Sequence, residues 1–123
     1  MYDIENIYQP KTLQEALDIL DNKDNLVIIA GGTDVLIKLH HGELCGSELL
    51  SLRDIEDLKG ININEQGDIE IGSMSSFSDI FRSDIINENI YSLSEAAVSM
   101  GGPQVRNMAT IGGNVCNGAV SAD

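Results

Sequence analysis

What this sequence has least of is positive charge. Seven Lys and Arg stand against twenty Asp and Glu in 123 residues, a formal net charge of −13. A nucleic-acid backbone is bound by replacing its counterions with Lys and Arg, so partners of that class are excluded. The same charge repels a free dinucleotide at long range, so a bound phosphate has to be held by local backbone dipoles or by Arg106. The acidity reads either as a solvated surface that keeps the chain soluble or as a face for a basic partner subunit. Long apolar runs are also missing: none approaches the ~20 residues that cross a bilayer. Met1-Tyr-Asp-Ile-Glu-Asn6 lacks the basic-then-apolar order of a secretory leader, and the expected location is cytoplasmic. Cysteine is scarce. Cys45 and Cys116 have no C-x-x-C spacing, so the chain encodes neither a zinc site nor an iron–sulfur cluster of its own. A disulfide is not expected in a reducing compartment, and Cys116 is expected to be a buried structural thiol. No Ser/His/Asp or Cys/His set is present and no serine sits in G-x-S-x-G. His40 and His41 read as structural, closing a helix where cations are favoured. Any catalysis has to come from a cofactor.

The elements that are present describe an α+β chain, long enough for one small domain or two very small lobes. Thr12-Leu-Gln-Glu15 has the spacing of a capping box. Leu13, Ala16, Leu17 and Leu20 follow at i, i+3, i+4, i+7, so a helix ending near Asn22 carries one apolar face. Leu26 to Ala30 is a short β-branched run, expected to be a strand buried on both faces. Val35-Leu-Ile-Lys-Leu39 is expected to be a short helix begun by Thr33 or Asp34. Gly42 to Gly46 is a loop, Glu48-Leu-Leu-Ser-Leu52 the next strand, and Asp54-Ile-Glu-Asp-Leu58 a helical turn. A boundary near Lys59-Gly60 separates a first lobe, residues 1–59, from a second, residues 60–123. The second opens with a hairpin of Ile61-Asn-Ile63 and Ile69-Glu-Ile71. Ser76 starts a helix running through Phe81. Ser92 and Glu95 have capping-box spacing, ahead of a helix whose apolar face is Leu93, Ala96, Ala97 and Met100.

Three Gly-Gly pairs punctuate this pattern. Gly101-Gly102-Pro103 has the composition of a helix stop. In Ala30-Gly31-Gly32-Thr33-Asp34 and in Thr110-Ile111-Gly112-Gly113-Asn114, consecutive residues without side chains can turn several N–H groups into one concavity. Such an arrangement holds phosphate without a basic side chain. Together two such loops can embrace one diphosphate. Neither is a P-loop nor G-x-G-x-x-G. The Asp34 carboxylate sits awkwardly beside a phosphate and is expected to cap backbone or to meet a ribose or ribitol hydroxyl. Arg106 is a candidate for a phosphate or, equally, for a nearby carboxylate.

The wording around these loops is specific. Ile28-Ile-Ala-Gly-Gly-Thr-Asp-Val35 and Gly102-Pro-Gln-Val-Arg-Asn-Met-Ala-Thr-Ile-Gly-Gly-Asn-Val-Cys-Asn-Gly-Ala-Val-Ser-Ala-Asp123 resemble the FAD-binding medium subunit of molybdenum hydroxylases, most closely the xanthine dehydrogenase type. The resemblance implies the N-terminal part of a vanillyl-alcohol-oxidase/PCMH-type FAD-binding domain, two small α/β lobes with the flavin extended between them. It implies cofactor contacts at Ile28, Ile29, Ala30, Gly31, Gly32, Thr33, Asp34 and Val35. It implies further contacts at Met100 and Gly101, at Thr110, Ile111, Gly112, Gly113 and Asn114, and at Asp123. It also implies a molybdenum-binding large subunit and a small subunit with [2Fe–2S] clusters as partners, with electrons passing through FAD to NAD or another acceptor. Similar subunits run on for more than as many residues again. The second lobe is therefore expected to be truncated, with exposed strand edges that favour self-association or marginal stability. The alternative reading is a cofactor-free assembly or interaction module, or a remnant of such a subunit.

Overall fold

The structure is a computed structural model that describes residues 4–44 and 46–118. The chain forms two compact units, Met1–Asp57 and Leu58–Asp123.

In the first unit, strands β1 (Ile4–Tyr8), β2 (Leu26–Ile29) and β3 (Ser47–Ser51) form a parallel sheet in the order β1-β3-β2. Strand β3 lies in the middle, pairing Leu49 with Ile7 on one side and with Val27 on the other. Its Leu49 and Leu50 are buried, as are Ala16, Leu39 and Ile55. The expectation that Leu26 to Ala30 is buried on both faces is corrected by this order: β2 has one neighbouring strand, and Ile28 is 47% exposed. Apolar composition marks a strand but does not rank it as central or edge. Strand β1 has no counterpart in the sequence reading. Its pairing with β3 shifts register between Ile4 and Asn6, an irregularity that breaks the two-residue alternation by which strands are recognised.

Helix α1 (Leu13–Asn22) starts at Thr12, whose Oγ1 accepts from the Glu15 N–H at 3.1 Å. The Glu15 carboxylate accepts from the Lys11 N–H, one residue earlier than a reciprocal capping box requires. The helix buries Ala16 and half-buries Ile19 and Leu20, leaving Leu13 and Leu17 exposed. Helix α2 (Val35–His40) follows β2, and a loop leads from it to β3. Tyr8 donates to Glu48 across β1 and β3, and Lys23 lies 5.4 Å above the Tyr8 ring. The Tyr8 phenol, then the charge of Glu48, holds the Lys23 ammonium above its ordinary value.

The second unit opens on the antiparallel hairpin of β4 (Ile61–Ile63) and β5 (Ile69–Ile71). Asn64 Oδ1 closes its turn by accepting from the N–H groups of Gln66 and Asp68. Helices α3 (Phe77–Arg82), α4 (Asp84–Asn89), α5 (Tyr91–Val98), α6 (Pro103–Met108) and α7 (Ile111–Asn117) follow. Helix α3 has both arms of the capping box: Ser76 Oγ accepts from Asp79 N–H and Asp79 accepts from Ser76 N–H, each at 3.0 Å. Ser92 does not cap α5. That helix begins two residues earlier than its Ser-x-x-Glu suggests, with Ile90 as the shared boundary between α4 and α5 and no side-chain cap. Ala96 is consequently exposed, while Ala97 is buried beside half-buried Leu93 and Met100. The core is Phe77, Ile80, Ile86, Ala97 and Ala109, with Ile61, Ile69, Ile71 and Ile111 packed on it. The residues 109–112 return beside 73–77: Phe77 N–H donates to Ala109 O, Ile111 N–H to Ser75 O, and Gly112 N–H to Ser73 O. Among the described residues no helix is long and apolar enough to cross a membrane.

These contacts set an order of costs. Ser76→Ala removes the Oγ arm of the capping box, leaving the backbone N–H of residue 76 bonded to Asp79, and is expected to lower the unfolding free energy by about 1 kcal/mol, whereas Ile80→Ala, at a fully buried position, is expected to cost about 2–5 kcal/mol. Urea titration of the two variants measures both; equal losses would show that the core around Ile80 collapses to fill the cavity.

Candidate functional site

The two motifs share a Gly-Gly pair and have opposite hydrogen-bond states. In the first, β2 ends at Ile29 and the chain turns through Gly32, at φ +82°, where residues with a Cβ are strained. The carbonyl of Gly32 accepts from Leu36 N–H at 3.0 Å, the first hydrogen bond of α2. Among the described residues no hydrogen bond uses the N–H of Thr33, Asp34 or Val35. Three consecutive donors at the start of a helix, beside a buried glycine, are the chemistry an anion takes. Asp34 occupies the cap position, but its own side chain makes no capping bond, contrary to one of the two roles expected of it. The carboxylate pairs instead with Lys38 Nζ one helical turn on, at 3.0 Å, a geometry that suits α2 and draws the charge away from the backbone.

In the second motif the expected open loop is a helix start. Thr110 is the N-cap of α7, and its Oγ1 accepts from Gly113 N–H at 3.1 Å. The N–H groups of Ile111 and Gly112 are taken by Ser75 and Ser73, and that of Asn114 by Thr110 O. The amides expected to form the second half of a phosphate cradle are therefore spent inside the unit. Gly112 serves another purpose. A Cβ there would lie 2.7 Å from Ser73 O and 2.8 Å from Ser73 Cβ, so the close approach of these two segments requires its absence. Ser73 and Ser75 went unnoticed in the sequence because a backbone acceptor leaves no mark on residue type.

Met100 and Gly101 follow α5. Met100 packs against the core and Gly101 is exposed. Among the described residues Arg106 pairs with no carboxylate: its Nη1 donates to Met100 O at 3.2 Å and to Gly101 O at 2.7 Å. Both carbonyls belong to the turn that follows α5, and the guanidinium five and six residues on ties them together. Cys116 is exposed and free, which corrects its expected burial: it lies on the open face of α7 beside exposed Val115. Asp123 lies outside the described residues, as does Cys45. Among the described residues no three His, Cys, Asp or Glu side chains are grouped as metal ligands would be.

Over residues 2–123 the sequence matches the family model described as the FAD binding domain in molybdopterin dehydrogenase. The chain belongs to that family. It is similar to the xanthine dehydrogenase FAD-binding subunit of Escherichia coli O157:H7, 39% identical over 123 residues that cover 100% of this chain and 42% of that one. It is similar also to the nicotinate dehydrogenase FAD-subunit of Eubacterium barkeri, 34% identical over 125 residues, again with 100% and 42% covered. Among solved structures, the carbon monoxide dehydrogenase of Hydrogenophaga pseudoflava lacking the Mo-pyranopterin moiety superposes with a TM-score of 0.94 at 29% identity, over 100% of this chain and 43% of that one. The mixed α/β architecture with its parallel sheet is thus that of this FAD-binding domain. The chain spans less than half the length of these relatives.

For a member of this family the test of fit is whether the residues present can take a diphosphate. The turn from Gly32 to Val35 fits, having three uncommitted donors and no basic residue but Lys38, which is already paired. The start of α7 does not fit as an amide cradle; what it offers is the outer surface of a glycine pair held rigid from behind. Gly112→Ala measures that rigidity. Alanine is favoured over glycine in a helix by up to ~1 kcal/mol, yet the clash with Ser73 is expected to win, with a net loss of about 1–3 kcal/mol in urea unfolding. A neutral or stabilising result would mean the 73–77 and 109–112 segments are free to separate.

Proposed function

We propose that this chain is the N-terminal part of the FAD-binding, electron-transfer subunit of a molybdenum hydroxylase of the xanthine dehydrogenase type, working in the cytoplasm. Its partners are a molybdenum-binding large subunit and a small subunit carrying [2Fe–2S] clusters, and its electrons leave through FAD to NAD or another acceptor. Membership of the family supports the cofactor, and the names of its relatives support the class of enzyme. A medium chain of carbon monoxide dehydrogenase, from Afipia carboxidovorans, is 33% identical over 112 residues. The observation that carries the reading is the row of unspent amides at Thr33, Asp34 and Val35.

Bound FAD supplies the redox chemistry, and protein supplies its position and electrostatic setting. Within the first unit the donors after Gly32 hold the diphosphate, and the exposed Ile28 gives the neighbouring surface apolar character. In a chain of net charge −13 this division is economical, because amide dipoles bind an anion without adding a charge that the surrounding carboxylates would claim. Ile29, Ala30 and Gly31 complete the turn; Met100, Gly101, Thr110 to Asn114 and Asp123 are the contact positions proposed for the second unit. A cofactor-free assembly module is the competing reading, and the spent amides of Ile111 to Gly113 are the observation in its favour.

Titration of the 123-residue chain with FAD, followed by flavin fluorescence with ADP and FMN as competitors, separates the two. Saturable binding of FAD, displaced by ADP and far less by FMN, is the expected result. Gly32→Val is expected to weaken FAD by ~tenfold or more, equivalent to about 1.4 kcal/mol, in a chain whose circular dichroism is retained. A folded chain that binds no FAD favours the assembly module.

A further inference from the structure

Among the described residues three α-helices end on asparagine: α1 at Asn22, α4 at Asn89 and α7 at Asn117. In the first two the side-chain amide is tied back to its own helix, Asn22 Nδ2 donating to Asp18 O at 2.8 Å and Asn89 Nδ2 to Ile85 O at 2.9 Å. Each bond occupies a carbonyl that the helix end leaves without an intrahelical partner. Asn117 is different. Its side chain is exposed and makes no hydrogen bond among the described residues. It is also the one asparagine in the sequence that is followed by glycine, whereas Lys23 and Ile90 follow the other two. Gly118 is the C-cap of α7 at φ +61°, and its N–H reaches Asn114 O only at 3.3 Å. That length lies beyond the usual range of an N–H···O bond.

We propose that Asn117–Gly118 is a self-modification site of the folded chain, at which the Asn117 amide is lost through a cyclic imide. The nucleophile is the Gly118 amide nitrogen once its proton has passed to hydroxide. It bonds to Asn117 Cγ, the Cγ–Nδ2 bond breaks, and Nδ2 leaves as ammonia with a proton from water. Water then opens the ring at either carbonyl, giving aspartate, or isoaspartate with an extra methylene in the main chain. Water is the net co-reactant, and nothing is oxidised or reduced. Glycine favours the closure because no Cβ stands beside the attacking nitrogen, and the ring forms when the end of α7 frays. Either product puts a carboxylate at the negative end of that helix, where it is disfavoured, and the other end of α7 carries Gly112 and Gly113.

The test holds the 123-residue chain at mildly alkaline pH, folded by circular dichroism in one arm and unfolded in urea in the other, and follows both by mass spectrometry of tryptic peptides. Trypsin cuts after Arg106, the last basic residue, so Asn107, Asn114 and Asn117 fall in one peptide and the first two serve as internal controls. A sample taken at zero time subtracts any conversion during digestion. The expected result is the mass gain of amide-to-carboxylate conversion at Asn117, at least ~tenfold faster than at Asn107 or Asn114, whose following residues carry a Cβ. Fraying a helix end costs almost no free energy, so the folded chain is expected to react within ~tenfold of the unfolded one. Labelling by isoaspartate methyltransferase is expected to appear with the mass gain, and Asn117→Gln to lose both. The proposal is overturned if the folded chain reacts more slowly than that margin, for then the end of α7 keeps the site shut. Equal conversion at Asn114 and Asn117, or a signal that persists in Asn117→Gln, overturns it as well.

Discussion

The second unit depends on one short stretch of backbone pairing, residues 109–112 laid along 73–77. It brings Ala109 against Phe77 in the core, sets the start of α7 and takes the amides of Ile111 and Gly112. Without it, α3 would lose the bond from its Phe77 N–H to Ala109 O, and the glycine pair would be the open loop that its composition advertises. The pairing also explains why Gly112 and Gly113 are not interchangeable. The first has its Cα against Ser73, and the second gives its N–H to a threonine hydroxyl.

Satisfaction of backbone groups therefore distinguishes two motifs that look alike. A Gly-Gly after a strand of a parallel sheet and before a short helix leaves donors over, because the helix begins afresh and nothing precedes it to accept from them. A Gly-Gly inside the first turn of a capped helix, beside another extended segment, leaves none. The affinity of such a chain for an anion is consequently not proportional to its glycine count. It depends on which helix starts remain uncapped, and here Asp34 stays out of the way by pairing with Lys38, while Thr110 does not.

Much of this was legible in the sequence where the information is local. The caps at Thr12 and Ser76 and the hairpin turn at Asn64 to Asp68 appear as expected because a cap or a turn is decided within four or five residues, although the Glu15 arm expected at Thr12 goes to Lys11. The helix over Val35–His40 was legible from its cap-forming residues, even though the predicted cap bond is absent. What was not legible was long-range. The burial of β3 rather than β2 follows from strand order, which no single segment contains. The spending of the Ile111 and Gly112 amides follows from a partner more than thirty residues away that contributes only carbonyl oxygens. Ser92 misled because a Ser-x-x-Glu pattern is not sufficient for a capping box: α4 had already fixed the start of α5 at Ile90. Arg106 was read as a cation for a phosphate or a carboxylate, when its partners are two carbonyls of the turn after α5.

Strand order in the first unit and segment pairing in the second share a temporal consequence. Strand β3 is the last of its sheet to be synthesised and the only one that touches both others, so β1 and β2 emerge from the ribosome with no sheet to join until residues 47–51 arrive. The second unit repeats the situation: β5 and α3 are complete long before residues 109–112 are made to lie against them. Contacts between distant parts of a chain delay folding, and each unit here keeps its keystone for the end of its own stretch of synthesis. During that interval the apolar side chains of β2 and the buried face of α3 are open to any neighbour, which makes the nascent chain, rather than the finished one, the state most in need of protection.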